Sequence, residues 1–139
     1  MKRLLLATDG SEYSRKAAEH AYEFLDVFPE ATLTILYVTA KETYAYDLIP
    51  EVVERAEENI KKEIKKQMEE TFSPYLDRIH FTHEVGHPSA TICDVARQEE
   101  IDMIIVGSHG KGIIDRALVG SVAHGVLHRA HVPVLIVKD

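Results

Sequence analysis

Apolar positions along this chain follow two rhythms in turn. Leu4-Leu5-Leu6-Ala7 is an unbroken apolar run stopped by Thr8-Asp9-Gly10-Ser11, which suits a strand buried on both faces that ends in a turn and a helix N-cap. The period then lengthens. Ala17, Ala18, Ala21, Leu25 and Phe28 keep helical spacing until Pro29, predicting a first helix packed on the sheet. Leu33-Thr34-Ile35-Leu36-Tyr37-Val38 returns to a β-branched, apolar run, a second strand. After a loop carrying Tyr44 and Tyr46, Pro50 stands where a first-turn proline belongs, and Val53, Ala56, Ile60, Ile64, Met68 and Phe72 hold a near-fourfold stripe up to Ser73-Pro74; this is the longest predicted helix. Glu57 with Lys61, and Glu58 with Lys62, fall four apart on what reads as its solvated face, where such pairs contribute about 0.2–0.5 kcal/mol at most.

The second half repeats the alternation. Ile79, Phe81, His83 and Val85 alternate with His80, Thr82 and Glu84, the period of a strand with one wetter face, as at a sheet edge. Gly86-His87-Pro88-Ser89 turns into a helix carrying Ile92, Val95 and Ala96; Met103-Ile104-Ile105-Val106 is a further buried strand; Val122, Val126 and Leu127 mark a last helix from Ser121, and Val134-Leu135-Ile136-Val137 a last strand. The β-α-β-α-β-α-β-α-β order predicts one α/β domain over residues 1–139, with an open, doubly wound, mostly parallel five-stranded sheet. The all-apolar runs 4–7 and 103–106 belong side by side in its interior and 79–85 at an edge, giving the order 3-2-1-4-5. A ligand site is then expected beyond the carboxyl ends of strands one and four, where the winding reverses: at Ala7-Thr8-Asp9 and Val106-Gly107.

That place is where the chain carries its most specific chemistry. Gly107-Ser108-His109-Gly110, then nine residues, then Gly120-Ser121 form a G-x-x-G-x9-G-S pattern. Glycines let backbone approach an anion closely, and a Ser at a helix start adds its hydroxyl and free N–H groups, so the pattern suits a phosphate. The glycines also have a plainer use, turning the chain and letting loops pack closely. The Walker loop is absent, because Gly110-Lys111 lacks both the earlier glycine and the following Ser or Thr, and so is G-x-G-x-x-G. No G-x-S-x-G elbow occurs either. Asp9 can hydrogen-bond a ribose or stand near a phosphate-bound cation, and otherwise serves the turn at Gly10. His109, inside the loop, is placed to touch a nucleotide. His124 and His128 are four apart on one helix with His131 beyond, but no Cys or carboxylate nearby in sequence completes a metal set, so they read as surface residues.

Composition narrows the classes. With 139 residues, 45% hydrophobic and 28% charged, the chain suits one globular core. A formal net charge of −7 argues against bulk nucleic-acid binding, which needs a cationic field. The single cysteine, Cys93, reads as a small core residue and allows no intrachain disulfide. The apolar run near the N-terminus is too short for a signal-peptide core or a membrane span, so the expectation is a soluble cytoplasmic protein.

These residues resemble the universal stress proteins, in particular the ATP-binding branch of that family. The likeness covers close to the whole chain. It is carried by Ala7-Thr8-Asp9-Gly10-Ser11, Leu36-Tyr37-Val38, Gly86-x-Pro88, Val106-Gly107-Ser108-His109-Gly110-Lys111, Gly120-Ser121-Val122 and Val132-Pro133-Val134-Leu135-Ile136-Val137. In that family the complete glycine signature marks the members that bind ATP. The resemblance implies a Rossmann-like, adenine nucleotide α-hydrolase-like fold, with Ala7, Thr8 and Asp9 flanking adenosine and Asp9 on the ribose or towards a metal. It implies that Val38 meets the adenine edge through its backbone, that Val106 and Gly107 line base and ribose, and that Ser108, His109 and Gly110 wrap the phosphates. Gly120, Ser121 and the N–H groups of Val122 and Ala123 would take the phosphate end. Ala123 departs from the Ser or Thr common at its position, removing one hydroxyl. Mg²⁺ or Mn²⁺ would arrive with the phosphates rather than on direct protein ligands.

The resemblance further implies a homodimer through the last strand, Val132 to Val137, and a stress-response sensor or regulator that meets a protein partner, with at most slow ATP hydrolysis. An exposed apolar edge strand is a liability unless covered, which agrees with that pairing. Three alternatives are weaker. An ATP-splitting enzyme of the same fold would carry an S-G-G-x-D-S type loop after strand one, where this chain has Thr8-Asp9-Gly10-Ser11-Glu12. A receiver domain would need an aspartate after its third strand, where Val85-Gly86-His87 stand. A dimerisation module without nucleotide is disfavoured by the intact glycine signature.

Overall fold

The computed structural model describes residues 2–40, 49–109 and 120–138. The described strands are β1 (Arg3–Thr8), β2 (Thr32–Ala40), β3 (Ile79–Gly86), β4 (Met103–Gly107) and β5 (Val134–Val137). All pair in parallel, in the order β3-β2-β1-β4-β5, as the sequence predicts. Between them run α1 (Glu12–Val27), α2 (Pro50–Thr71), α3 (Pro88–Gln98) and α4 (Ser121–Arg129), with a 3₁₀ segment at Ser73–Arg78 before β3.

The unbroken apolar run of β1 follows from its place. Leu4, Leu5 and Leu6 are each 0% exposed, because β1 is paired on both edges and covered on both faces. On one face Leu4, Leu6, Ile35 and Ile105 pack under α1 (Ala17, Ala18, Ala21, Leu25) and α2 (Ile64, Met68). On the other, Leu5, Leu36, Ile104 and Val106 pack under α3 (Ile92, Val95, Ala96) and α4 (Ala123, Val126). Cys93 is buried in this second layer, its thiol directed at the Val126 carbonyl at 3.9 Å, and burial raises its pKa. The C-terminal end of α1 is closed by Arg78, whose guanidinium donates to the carbonyls of Leu25, Phe28 and Ala31.

Several side chains sit elsewhere than their spacing suggests. Phe28 caps α1 rather than ending its buried stripe; it is 39% exposed and stacks on Phe24. Val85, Val122 and Leu127 are likewise exposed. The largest correction is at α2, where Ala56 is exposed and Glu57 turns to the sheet. At about 100° per residue, a position seven before Ile64 lies only about 20° from it, whereas one eight before lies about 80° away. Strict fourfold spacing therefore drifts off the buried face. The Glu57 carboxylate accepts from the Tyr37 hydroxyl and from Thr39 Oγ1 at 3.0 Å, and Lys61 pairs with Glu58 at 3.9 Å instead.

This network continues into β3. Because Thr39 spends its one proton on Glu57, His83 Nε2, 2.7 Å away, must be the donor to Thr39 Oγ1, which assigns its tautomer. The His83 ring stacks on Tyr37, with centroids 5.2 Å apart and planes 16° from parallel. Burial and the bond to Glu57 push the Tyr37 pKa up to about 12. Burial, then the Lys61 charge, lower that of His83.

Two outcomes follow. Leu5→Ala should cost about 2–5 kcal/mol in urea unfolding, since the vacated space lies in the central strand; a cost under about 1 kcal/mol would contradict this packing. For His83, the native state resists a proton that the unfolded chain accepts near pH 6.5. Its neutral form is compatible with full stability above about pH 6.5, and stability should erode as pH falls below that value. Relative to His83→Gln, the wild type should lose stability between about pH 7.5 and 5.5; a difference that stays constant or grows on acidification speaks against this assignment.

Candidate functional site

A cavity of about 240 Å³ opens beyond the carboxyl ends of β1 and β4, at the reversal of the winding. Of the residues singled out in the sequence, Ala7, Thr8, Asp9 and Val38 line it from β1 and β2, and Val106, Gly107 and His109 from β4 and the loop after it. Gly120, Ser121, Val122 and Ala123 line it from the start of α4. Gly110 lies outside the described residues. Ser108 is brought to the site's edge but not to the cavity: it is buried, donates its amide to Val137 O at 2.9 Å, and holds its hydroxyl 3.0 Å from His109 Nδ1.

The turn after β1 is held tightly. Asp9 Oδ1 accepts from the Ser11 amide at 2.9 Å, and Gly10 takes φ +79°, which glycine adopts without steric cost. Ser11 caps α1, its hydroxyl accepting from the Ser14 amide at 3.3 Å. Thr8 Oγ1 donates to Ser14 Oγ at 3.1 Å and accepts from the Gly10 amide at 3.2 Å. Ser14 Oγ in turn donates to the Ser11 carbonyl at 2.8 Å.

The glycines do close packing as well as lining. A Cβ on Gly107 would stand 2.8 Å from the Tyr13 carbonyl oxygen, so that glycine lets the end of β4 approach α1. A Cβ on Gly120 would meet the Ser108 carbonyl at 3.0 Å and His109 Cα at 3.2 Å. Gly120 thus joins the two ends of the glycine segment, its amide donating to Ser108 O at 2.6 Å, and its missing side chain faces protein rather than the place expected for phosphate. The plainer reading of this glycine, close loop packing, is the one its geometry bears out.

At α4 the helix start is open. Gly120 is the N-cap, no side chain among the described residues bonds back to the first turn, and the ladder begins with His124 N to Gly120 O at 2.9 Å. The amides of Ser121, Val122 and Ala123 precede that first bond, and all three residues line the cavity. His109 is 7% exposed and packs against Tyr13 with ring centroids 5.1 Å apart; its Nε2 is buried with no hydrogen-bond partner among the described residues.

Sequence reasoning missed Ser14, Leu36, Pro88 and Ile92, which also line the cavity. Leu36 falls in the apolar run of the second predicted strand, Ile92 on the apolar stripe of its helix and Pro88 in the turn that opens that helix, while Ser14 is assigned no role from sequence. The available signal was topological, since the first turns of α1 and α3 rise from the same sheet edge as the predicted site. His124, His128 and His131 are exposed, and among the described residues no three His, Cys, Asp or Glu side chains gather as a metal site. No helix among the described residues is long and apolar enough to cross a membrane.

Comparison with known proteins matches residues 1–138 to the model of the universal stress protein family. The chain is 33% identical over 144 residues to universal stress protein MJ0531 of Methanocaldococcus jannaschii, covering 99% of this chain and 82% of that protein. Among solved structures it is similar to universal stress protein UspA from Lactobacillus plantarum, with a TM-score of 0.88, 27% identity and coverage of 99% and 97% of the two chains. A universal stress protein solved in complex with cAMP shares the fold, with a TM-score of 0.69, 23% identity and coverage of 99% and 97%.

Proposed function

The chain belongs to the universal stress protein family, and we propose that it is an ATP-binding member that senses the nucleotide rather than turning it over rapidly. The observation that carries this reading is the uncapped start of α4 opening into the same cavity as Asp9 and an apolar wall. Three kinds of surface meet there. Leu36, Val38, Pro88, Ile92 and Val106 offer an apolar wall for a base; Asp9 offers a carboxylate to ribose hydroxyls; the first-turn amides and dipole of α4 favour an anion. A ligand with an apolar ring, a hydroxylated middle and an anionic tail is a nucleotide. Pairing of β1 with β2 ends at Thr8 and Tyr37, while β2 runs on to Ala40, so Val38 has backbone beyond the last β1 partner to meet a base edge. The solved protein of this fold in complex with cAMP, itself an adenine nucleotide, is consistent with such a ligand.

Asp9 is the only carboxylate among the described residues that line the cavity, which fits Mg²⁺ or Mn²⁺ carried on the phosphates with Asp9 beside it, not a protein-built metal cage. When bound, the cation would neutralise phosphate charge alongside the α4 amides. We also assign the apolar edge of β5, with Val134, Leu135 and Ile136 half-buried, to a twofold pairing of two chains from Val132 to Val137. The regulatory output would pass to a protein partner in the cytoplasm.

Calorimetry with Mg-ATP should give one site per chain in the micromolar range; absence of binding would overturn the reading. Val122→Glu places a carboxylate in the first turn of α4, at a position 39% exposed where a negative charge suits the helix itself. It should leave the circular dichroism spectrum unchanged and weaken ATP at least about tenfold, or about 1.4 kcal/mol. Unchanged affinity would move the phosphates away from α4.

A further inference from the structure

We infer that Ser14 is a positioning residue for Asp9, acting through Thr8 to fix the β1–α1 turn on which nucleotide binding depends. Nothing in the spacing of the glycine signature points to Ser14, yet it is 5% exposed and lines the cavity beside Asp9. A serine in the first turn of a helix commonly bonds back to a carbonyl three residues earlier, and Ser14 does so at the Ser11 carbonyl. That bond alone would be local. What sets Ser14 apart is that its oxygen also receives the Thr8 hydroxyl at 3.1 Å.

The proton count makes the chain directional. Thr8 has one hydroxyl proton and spends it on Ser14; Ser14 has one and spends it on Ser11 O. With its proton so directed, Thr8 Oγ1 turns a lone pair to the Gly10 amide at 3.2 Å. The three peptide units that follow Asp9 are therefore each tied at one group: Gly10 N–H to Thr8, Ser11 N–H to Asp9 Oδ1 itself at 2.9 Å, and Ser11 C=O to Ser14. Gly10, at φ +79°, adds no side-chain restraint of its own. Remove the Ser14 hydroxyl and Thr8 loses its buried acceptor, the lone pair on Gly10 is no longer held in place, and the carboxylate of Asp9 is anchored to a looser turn.

The inference rests on the nucleotide reading, with Asp9 meeting the ribose, and its test separates the two. In nucleotide-free protein, Ser14→Ala and the isosteric Thr8→Val should each speed hydrogen exchange at the Gly10 and Ser11 amides about tenfold or more, while the amides of β1 keep their protection. In binding, Asp9→Ala should abolish the preference for ATP over 2′-deoxy-ATP, and Ser14→Ala should cut that preference at least threefold by weakening ATP more than the deoxynucleotide. A wild type that binds neither nucleotide sinks the nucleotide reading. A wild type that prefers ATP, paired with a Ser14→Ala variant that keeps the same preference or weakens both nucleotides equally, sinks the role of Ser14 alone. Unchanged exchange at Gly10 and Ser11 overturns the hydroxyl chain itself.

Discussion

The rest of the molecule depends on burial of β1 on every side. A strand whose side chains are covered above and below can satisfy its backbone only through its two neighbours, so β2 and β4 must flank it. Since each parallel connection crosses over through a helix, α1 and α2 cover one face while α3 and α4 cover the other. The divergence of chains to opposite faces leaves a crevice where β1 and β4 end. The cavity is therefore not an addition to the fold but a product of it, and residues at those two strand ends inherit a position that a ligand can reach.

Within that crevice, glycine has two separable roles. Gly107 and Gly120 permit contacts of protein with protein, against Tyr13 and against Ser108 and His109. These contacts bring the start of α4 to the wall, with no capping side chain among the described residues. Glycines placed this way shape the cavity indirectly, by allowing loops to close until the start of a helix reaches its wall. The hydroxyl of Ser108, a residue that the family resemblance places around the phosphates, lies against His109.

The fold was legible because its information is periodic. Burial on both faces removes alternation from Leu4 to Leu6 and from Met103 to Val106, edge position restores it in β3, and these contrasts alone order the sheet. Much of the site was legible too, since strand ends at the winding reversal can be counted along the chain. What the sequence hid depends on angles and partners rather than spacing. Glu57 looked like a solvated charge because fourfold spacing was followed instead of true helical advance, and its partners Tyr37 and Thr39 lie on a strand 20 and 18 residues away. Ser14 drew no reading from sequence, because what distinguishes it is the hydroxyl it receives from Thr8.

The burial of Cys93 has a practical consequence. It is the chain's single thiol, 4% exposed between α3 and α4, with its ionisation suppressed by burial. A reagent that modifies thiolates can reach it only when those helices part, so its labelling rate counts opening events of the layer that also forms the cavity's apolar wall. The molecule thereby carries its own clock for breathing at that layer, readable without adding a probe.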